Sequence, residues 1–264
     1  MLHIDTDQYE RDGFLVLRGI FSGERLRILR QAAEDVVTRA ATVPALARAK
    51  RLQLTDPRLS GVQPGDSAIT LINCLADEHV MCLSEVIQRS ALVANTYNLN
   101  VDSVDQFWHR DEFFLPASLP WDVAGYRRES PFSQIQWNLP LMDDSYFHII
   151  PGSHRDAVSS AQLEVMALSQ RDGRFIPDMP GVHCVRLAAG DGVVYNNNLV
   201  HGVRRPADQP HRRTLHWYWV SEGAVDPYAF QVPDISAYRE RLHARIRDAY
   251  SRASPPVRGS RFCA

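Results

Sequence analysis

The chain has 264 residues, a net charge of −2, 45% hydrophobic and 23% charged residues. These are the proportions of a globular protein and exclude a disordered, collagen-like or coiled-coil chain. The near-balanced charge offers no basic surface for nucleic acid or lipid headgroups, and no apolar run of ~18 residues is present to span a membrane.

In chain order, Phe14–Leu17 reads as a short strand. Ser22 then stands at a capping position, and Leu26, Leu29, Ala33, Val36, Val37 and Ala40 recur at helical spacing. Residues 41–68 are rich in Pro, Gly and Arg and read as a long connection or lid. A helix is predicted around 76–89. Beyond residue 90 the pattern turns to β: strands are predicted over Ala91–Tyr97, Val104–His109, Ser133–Leu141, Tyr146–Ile150, Val182–Leu187, Gly192–Asn197 and Arg212–Val220. Ile235, Tyr238, Leu242, Ile246 and Tyr250 mark one face of a helix over 234–250. The whole chain, 1–264, reads as one domain with a helical region over 1–90 and a β core over about 90–221. The expected fold is mainly β with flanking α-helices, its heart a jelly-roll double sheet.

Four cysteines (Cys74, Cys82, Cys184 and Cys263) include no Cys-x-x-Cys pair. Reduced thiols follow, and with an amino terminus that carries no signal-peptide core the expected setting is cytoplasmic. Of the 29 basic residues, 28 are arginine. Isolated ones are read as solvated surface.

Three His-x-Asp pairs occur: His3/Asp5, His109/Asp111 and His154/Asp156. Residues i and i+2 of a strand share a face, so such a pair can bind one metal. About one pair is expected by chance, so context must choose. His3 lies at a terminus, and His154 follows the turn Pro151-Gly152-Ser153. His109 closes the aromatic run Gln106-Phe107-Trp108 at a strand end. A facial triad needs a third ligand, and His201 is the best candidate. It follows the strand-like GVVYNNNLV, far enough along the chain for several strands to intervene. In RRTLHWYWV, Arg212, Thr214, His216 and Tyr218 share one parity, and Arg213, Leu215, Trp217 and Trp219 the other. The first, polar face suits a pocket. Its leading arginine can grip a carboxylate with two parallel hydrogen bonds, which makes Arg212 the candidate anchor for a dicarboxylate.

With these motifs the chain resembles the phytanoyl-CoA dioxygenase family of Fe(II)/2-oxoglutarate oxygenases. YERDGFLVLRGIFS resembles that family's opening, FWHRD its proximal metal motif and IIPGSHR its central loop. LAAGDGVVYNNNLVHG with PHRRTL matches its distal histidine and arginine. The likeness covers roughly residues 6–220. Two departures are visible: Val203 stands where a small polar residue is usual, and RRPADQPH replaces the usual Asn-x-Ser. The resemblance implies a double-stranded β-helix of the cupin-like jelly-roll type, with His109, Asp111 and His201 on Fe(II). It implies Arg212 on the far carboxylate of 2-oxoglutarate, with Asn95 and Trp137 lining the co-substrate pocket. The activity implied is O2-dependent oxidation, hydroxylation by default, of a small organic substrate with release of succinate and CO2. Halogenating relatives replace the metal carboxylate with a small residue. Asp111 is present here, so no chlorination is expected. The long segment 112–132, with Phe113, Phe114, Trp121, Tyr126, Arg127 and Arg128, is an expected active-site lid. Two alternatives stand beside this reading: a cupin-like iron dioxygenase that does not use 2-oxoglutarate, and a non-catalytic jelly-roll binding module.

Overall fold

Alternating apolar and polar residues build ten strands among the residues that the computed structural model describes: 5–59, 66–102, 105–111, 134–209, 211–222, 235–236 and 238–253. In order they are β1 (Phe14–Leu17), β2 (Arg51–Gln53), β3 (Leu92–Asn100), β4 (Gln106–His109) and β5 (Gln134–Pro140). Then come β6 (Asp144–Ile149), β7 (His183–Leu187), β8 (Gly192–Asn196), β9 (His201–Val203) and β10 (Thr214–Ser221). Six helices accompany them: α1 (Thr6–Asp12), α2 (Gly23–Ala41), α3 (Asp66–Asn73), α4 (Glu78–Gln88), α5 (Ser160–Asp172) and α6 (Ala244–Ser251).

The strands form a six-stranded sheet, β1-β8-β5-β10-β3-β2, and a four-stranded sheet, β4-β9-β6-β7, with every pairing antiparallel. From β3 to β10 the chain passes repeatedly from one sheet to the other, giving the double-stranded β-helix, or jelly roll.

Each face of the large sheet has its own partner. Ala94, Tyr97, Leu99, Ile135, Trp137, Leu139, Leu215, Trp217 and Trp219 point outward into a core shared with α2, α3, α4 and α6. Trp137 and Trp217 oppose each other in register and stack with centroids 5.5 Å apart and planes 2° from parallel. Such a pair adds roughly 0.5–1.5 kcal/mol beyond its buried area. Between the sheets, Phe147, Ile149, Val185, Val193 and Tyr195 fill one end with side chains. The outer face of the small sheet is covered by α5, whose Ser169 hydroxyl accepts from the Trp108 amide.

Several local readings need correction. Residues 41–68 are more than a connection, because Arg51–Gln53 adds an edge strand to β3 and Leu46, Leu52, Leu54 and Leu59 are buried. Their apolar spacing is hidden among Arg and Pro. Helices α1, α3 and α5 were not anticipated. Helix α5 lacks a clean apolar stripe, yet its reciprocal Ser159–Gln162 capping box marks its start. At the carboxy end the helix begins only at Ala244, since Leu242 is extended and His243 caps the turn that follows. The segment 112–132 and Cys263 lie outside the described residues. Cys74, Cys82 and Cys184 are free thiols, and no helix among the described residues is long and apolar enough to cross a membrane.

One turn is conformationally demanding. Gly190 has φ +87°, its amide donates to Pro140 O, and its carbonyl accepts from Phe21 N. A Cβ there would lie 1.9 Å from Phe21 O. Left-handed strain and overpacking together should make Gly190→Ala about 2–4 kcal/mol less stable, read as a lowered urea midpoint with an unchanged slope.

Candidate metal centre

Strand β4 ends on His109 and β9 begins on His201, and the two residues are directly paired in register. Both imidazoles therefore project from one point of the small sheet, with ring centroids 4.3 Å apart. Asp111 lies just past the end of β4, where its amide donates to Asn197 O at 3.2 Å. Its Oδ1 is 3.9 Å from Nε2 of each histidine. The three ligand atoms lie within 4.8 Å of one another, and among the described residues this is the one cluster that could hold a metal ion.

Both histidines are held in the tautomer a metal requires. Nδ1–H of His109 donates to Phe107 O at 2.7 Å, and Nδ1–H of His201 donates to Leu199 O at 2.8 Å. Each Nε2 is thereby the lone-pair nitrogen, oriented by a backbone carbonyl two residues back. Burial, with His201 adding to it, keeps His109 neutral well below its ordinary titration range. Two imidazoles and one carboxylate are the donor set of the iron(II) facial triad, so the residues present fit that ion.

The cluster opens into a cavity of about 460 Å³ between the sheets. Arg212 lies on its wall, 6% exposed. Its Nε donates to Asp144 Oδ2 at 2.8 Å, and its guanidinium lies over the Tyr146 ring at 5.1 Å. The same carboxylate accepts from Thr214 Oγ1 at 2.6 Å and, through Oδ1, from the Tyr146 amide. Asp144 thus spends one edge of the guanidinium and fixes its plane. Among the described residues no hydrogen bond engages its terminal nitrogens, a fork of the kind that can meet a carboxylate.

The family model described as Phytanoyl-CoA dioxygenase (PhyH) matches residues 9–206. Among solved structures, AviO1 from Streptomyces viridochromogenes Tue57 aligns at TM-score 0.57 and 20% identity, covering 83% of this chain and 95% of that one. EctD from S. alaskensis, a structure with 2-oxoglutarate and 5-hydroxyectoine, aligns at TM-score 0.58 and 16% identity, covering 91% and 84%. SnoN, described as a non-heme alpha ketoglutarate dependent epimerase from nogalamycin biosynthesis, aligns at TM-score 0.53 and 16% identity, covering 82% and 81%. At these identities the likeness is one of fold. No curated protein matches the sequence significantly.

Of the residues singled out in the sequence, His109, Asp111, His201 and Arg212 line this cavity together, as do His216 and Tyr218 from the polar face of β10. Asn95 and Trp137 do not. Asn95 is buried beside the irregular step in β3, its carbonyl accepting from Tyr250 Oη. Trp137 points away into the helix-covered core, where Nε1 donates to Ser84 Oγ at 3.0 Å. Its strand neighbours Gln136 and Asn138 take the cavity face instead. The alternation Gln134-Ile135-Gln136-Trp137-Asn138 carried that signal, since period two sends the amides one way and Trp137 the other. Arg51 and Asn100 also line the cavity and bond to each other, Arg51 Nε donating to Asn100 Oδ1 at 3.1 Å. No local pattern marks them, because both depend on the pairing of β2 with β3. His154 sits in the turn after β6, its Nε2–H donating to Glu10 O at 3.1 Å. His3 lies outside the described residues. Replacing Trp137 by Ala should cost about 3–5 kcal/mol of stability, as for other buried tryptophans. A calorimetric titration of folded variant with 2-oxoglutarate should give wild-type affinity, which a cavity-lining Trp137 would not allow.

Proposed function

We propose, for a chain that belongs to the phytanoyl-CoA dioxygenase family and is an Fe(II)- and 2-oxoglutarate-dependent oxygenase, that His109, Asp111 and His201 are its iron ligands and Arg212 its co-substrate anchor. The observation that carries this is the opening of the His-Asp-His cluster and the Arg212 guanidinium into one cavity. Family membership sets aside both alternatives, the 2-oxoglutarate-independent dioxygenase and the non-catalytic module.

Charge supports the assignment. Arg51 and Arg212 balance Asp111 and Asp144 in formal charge, so a divalent ion leaves an excess of two positive charges. A dicarboxylate dianion such as 2-oxoglutarate cancels that excess. When bound, iron supplies the O2-dependent oxidation that converts 2-oxoglutarate to succinate and CO2 and oxidises the substrate, with hydroxylation as the default outcome. The chain's own part is positioning. His109 and His201 present oriented imidazole nitrogens, Arg212 fixes one end of the co-substrate, and the cavity walls hold the substrate. Those walls carry Asn100, Gln106, Gln134, Gln136 and Asn138, which favours a small polar organic substrate whose groups can pair with amides.

His109→Ala and His201→Ala should each weaken Mn(II) binding by more than about 100-fold, beyond the range for loss of a mere outer partner, with an unchanged circular dichroism spectrum. His154→Ala should retain binding. An active His109→Ala or His201→Ala enzyme would sink the triad.

For the anchor, Arg212→Lys is the sharper variant. Arg212→Ala would strand the buried Asp144 charge and cost about 3–5 kcal/mol of stability by itself. Arg212→Lys keeps the charge and loses the fork, so the KM for 2-oxoglutarate in succinate release should rise roughly 10- to 100-fold, from ~1.5–3 kcal/mol of charged hydrogen bonding. Arg213 is paired with Glu34 at 2.7 Å and bonded to Val101 O. Arg213→Ala should lower stability and leave that KM near wild type; the reverse pattern would reassign the anchor.

A further inference from the structure

We propose that Gln136 and Tyr195 are positioning residues for the metal carboxylate. A one-way chain of hydrogen bonds from Tyr195 through Gln136 holds Oδ2 of Asp111 and leaves Asp111 to bind through a single oxygen. The proposal rests on Asp111 being an iron ligand.

The chain joins neighbouring strands of the large sheet, where Gln136 on β5 opposes Tyr195 on β8. Both side chains line the cavity. Tyr195 Oη donates to Gln136 Oε1 at 2.8 Å, and Gln136 Nε2 donates to Asp111 Oδ2.

Each donor is fixed by the one before it. An ionised carboxylate only accepts, so the Gln136 group facing Asp111 is the amide nitrogen. Its oxygen therefore faces Tyr195, which must donate the phenolic proton. A chain aligned in one direction strengthens each of its bonds in a low-dielectric site.

The consequence falls on coordination. Two imidazoles and a one-oxygen carboxylate leave three of six positions open, whereas a carboxylate that swings to bind through both oxygens closes one. Gln136 opposes that swing by engaging Oδ2. Sequence spacing could not show this, because Asp111, Gln136 and Tyr195 come from three separate segments of the chain.

The test titrates the metal-free full-length chain with Mn(II) and records the Co(II) d–d absorption, which reports coordination number without turnover. Tyr195→Phe removes one oxygen and should weaken Mn(II) binding about 10-fold; Gln136→Leu should approach the ~100-fold end of the range for outer partners of metal ligands. Both should shift the Co(II) spectrum. The double variant should match Gln136→Leu within about 2-fold, because the chain is already cut. Tyr218→Phe, on the same cavity wall but outside the chain, should leave affinity and spectrum unchanged. The proposal is overturned if Tyr195→Phe binds Mn(II) within about 2-fold of wild type with an unaltered Co(II) spectrum, and that variant decides should Gln136→Leu fail to fold. Failure of the wild-type chain itself to bind Mn(II) would remove the iron-ligand reading and this proposal with it.

Discussion

The register of one short antiparallel pair governs the site. His109 and His201 oppose each other across β4 and β9, and a shift of one residue would turn one imidazole to the far side of the small sheet. The sheet around them pins that register. Phe147 and Ile149 of β6 pair with Val203 and His201 of β9, while Trp108 is locked outward by Ser169 and by Ile176 O, to which Nε1 donates at 2.7 Å. Packing on the outer face thereby fixes which side chains face inward, and the candidate metal ligands inherit their positions from it.

The large sheet shows the same division of labour. Along β5 and β10 every second residue is an apolar or aromatic side chain buried under the helices, and the residues between are amides, a histidine and a tyrosine on the cavity wall. Hydrophobic burial stabilises one face by roughly 1.5–3 kcal/mol for each large side chain. That stability offsets the cost of burying polar groups on the other. The stacked Trp137–Trp217 pair makes the point: it contributes nothing to the cavity directly, and it sits back to back with Gln136, Asn138 and His216, which do.

The buried ion pair of Arg212 and Asp144 is better understood as orientation than as stability. Pairs of this kind often contribute little net free energy because both charges lose their hydration. Here Asp144 is also satisfied by Thr214 and the Tyr146 amide, so the carboxylate is itself fixed and transmits its position to the guanidinium. A rigid arginine loses less conformational entropy on gripping a ligand than a free one. The one-way amide and phenol chain behind Asp111 is the same device applied to a carboxylate.

Local pattern in the sequence determined much of this protein. Short β-like runs between Pro- and Gly-containing turns located β1 and seven of the strands that follow to within a few residues, helical spacing located α2, a helical stretch marked α4, and the parity of RRTLHWYWV separated Arg212 and His216 from Trp217. The residue types and order of His109, Asp111, His201 and Arg212 were legible because each motif is short and contiguous. What remained hidden depends on contacts between distant segments. The edge strand at Arg51 exists only through pairing with Asn100. Trp137 was drawn toward the cavity by resemblance although its own strand's alternation sends it outward. The partners of Asp111 and Arg212, namely Gln136, Tyr195 and Asp144, carry no signature as single residues. A hydrogen bond between side chains on different strands is set by sheet order and register, and those are decided by how the two sheets and their helices pack, so only the tertiary structure could assign them.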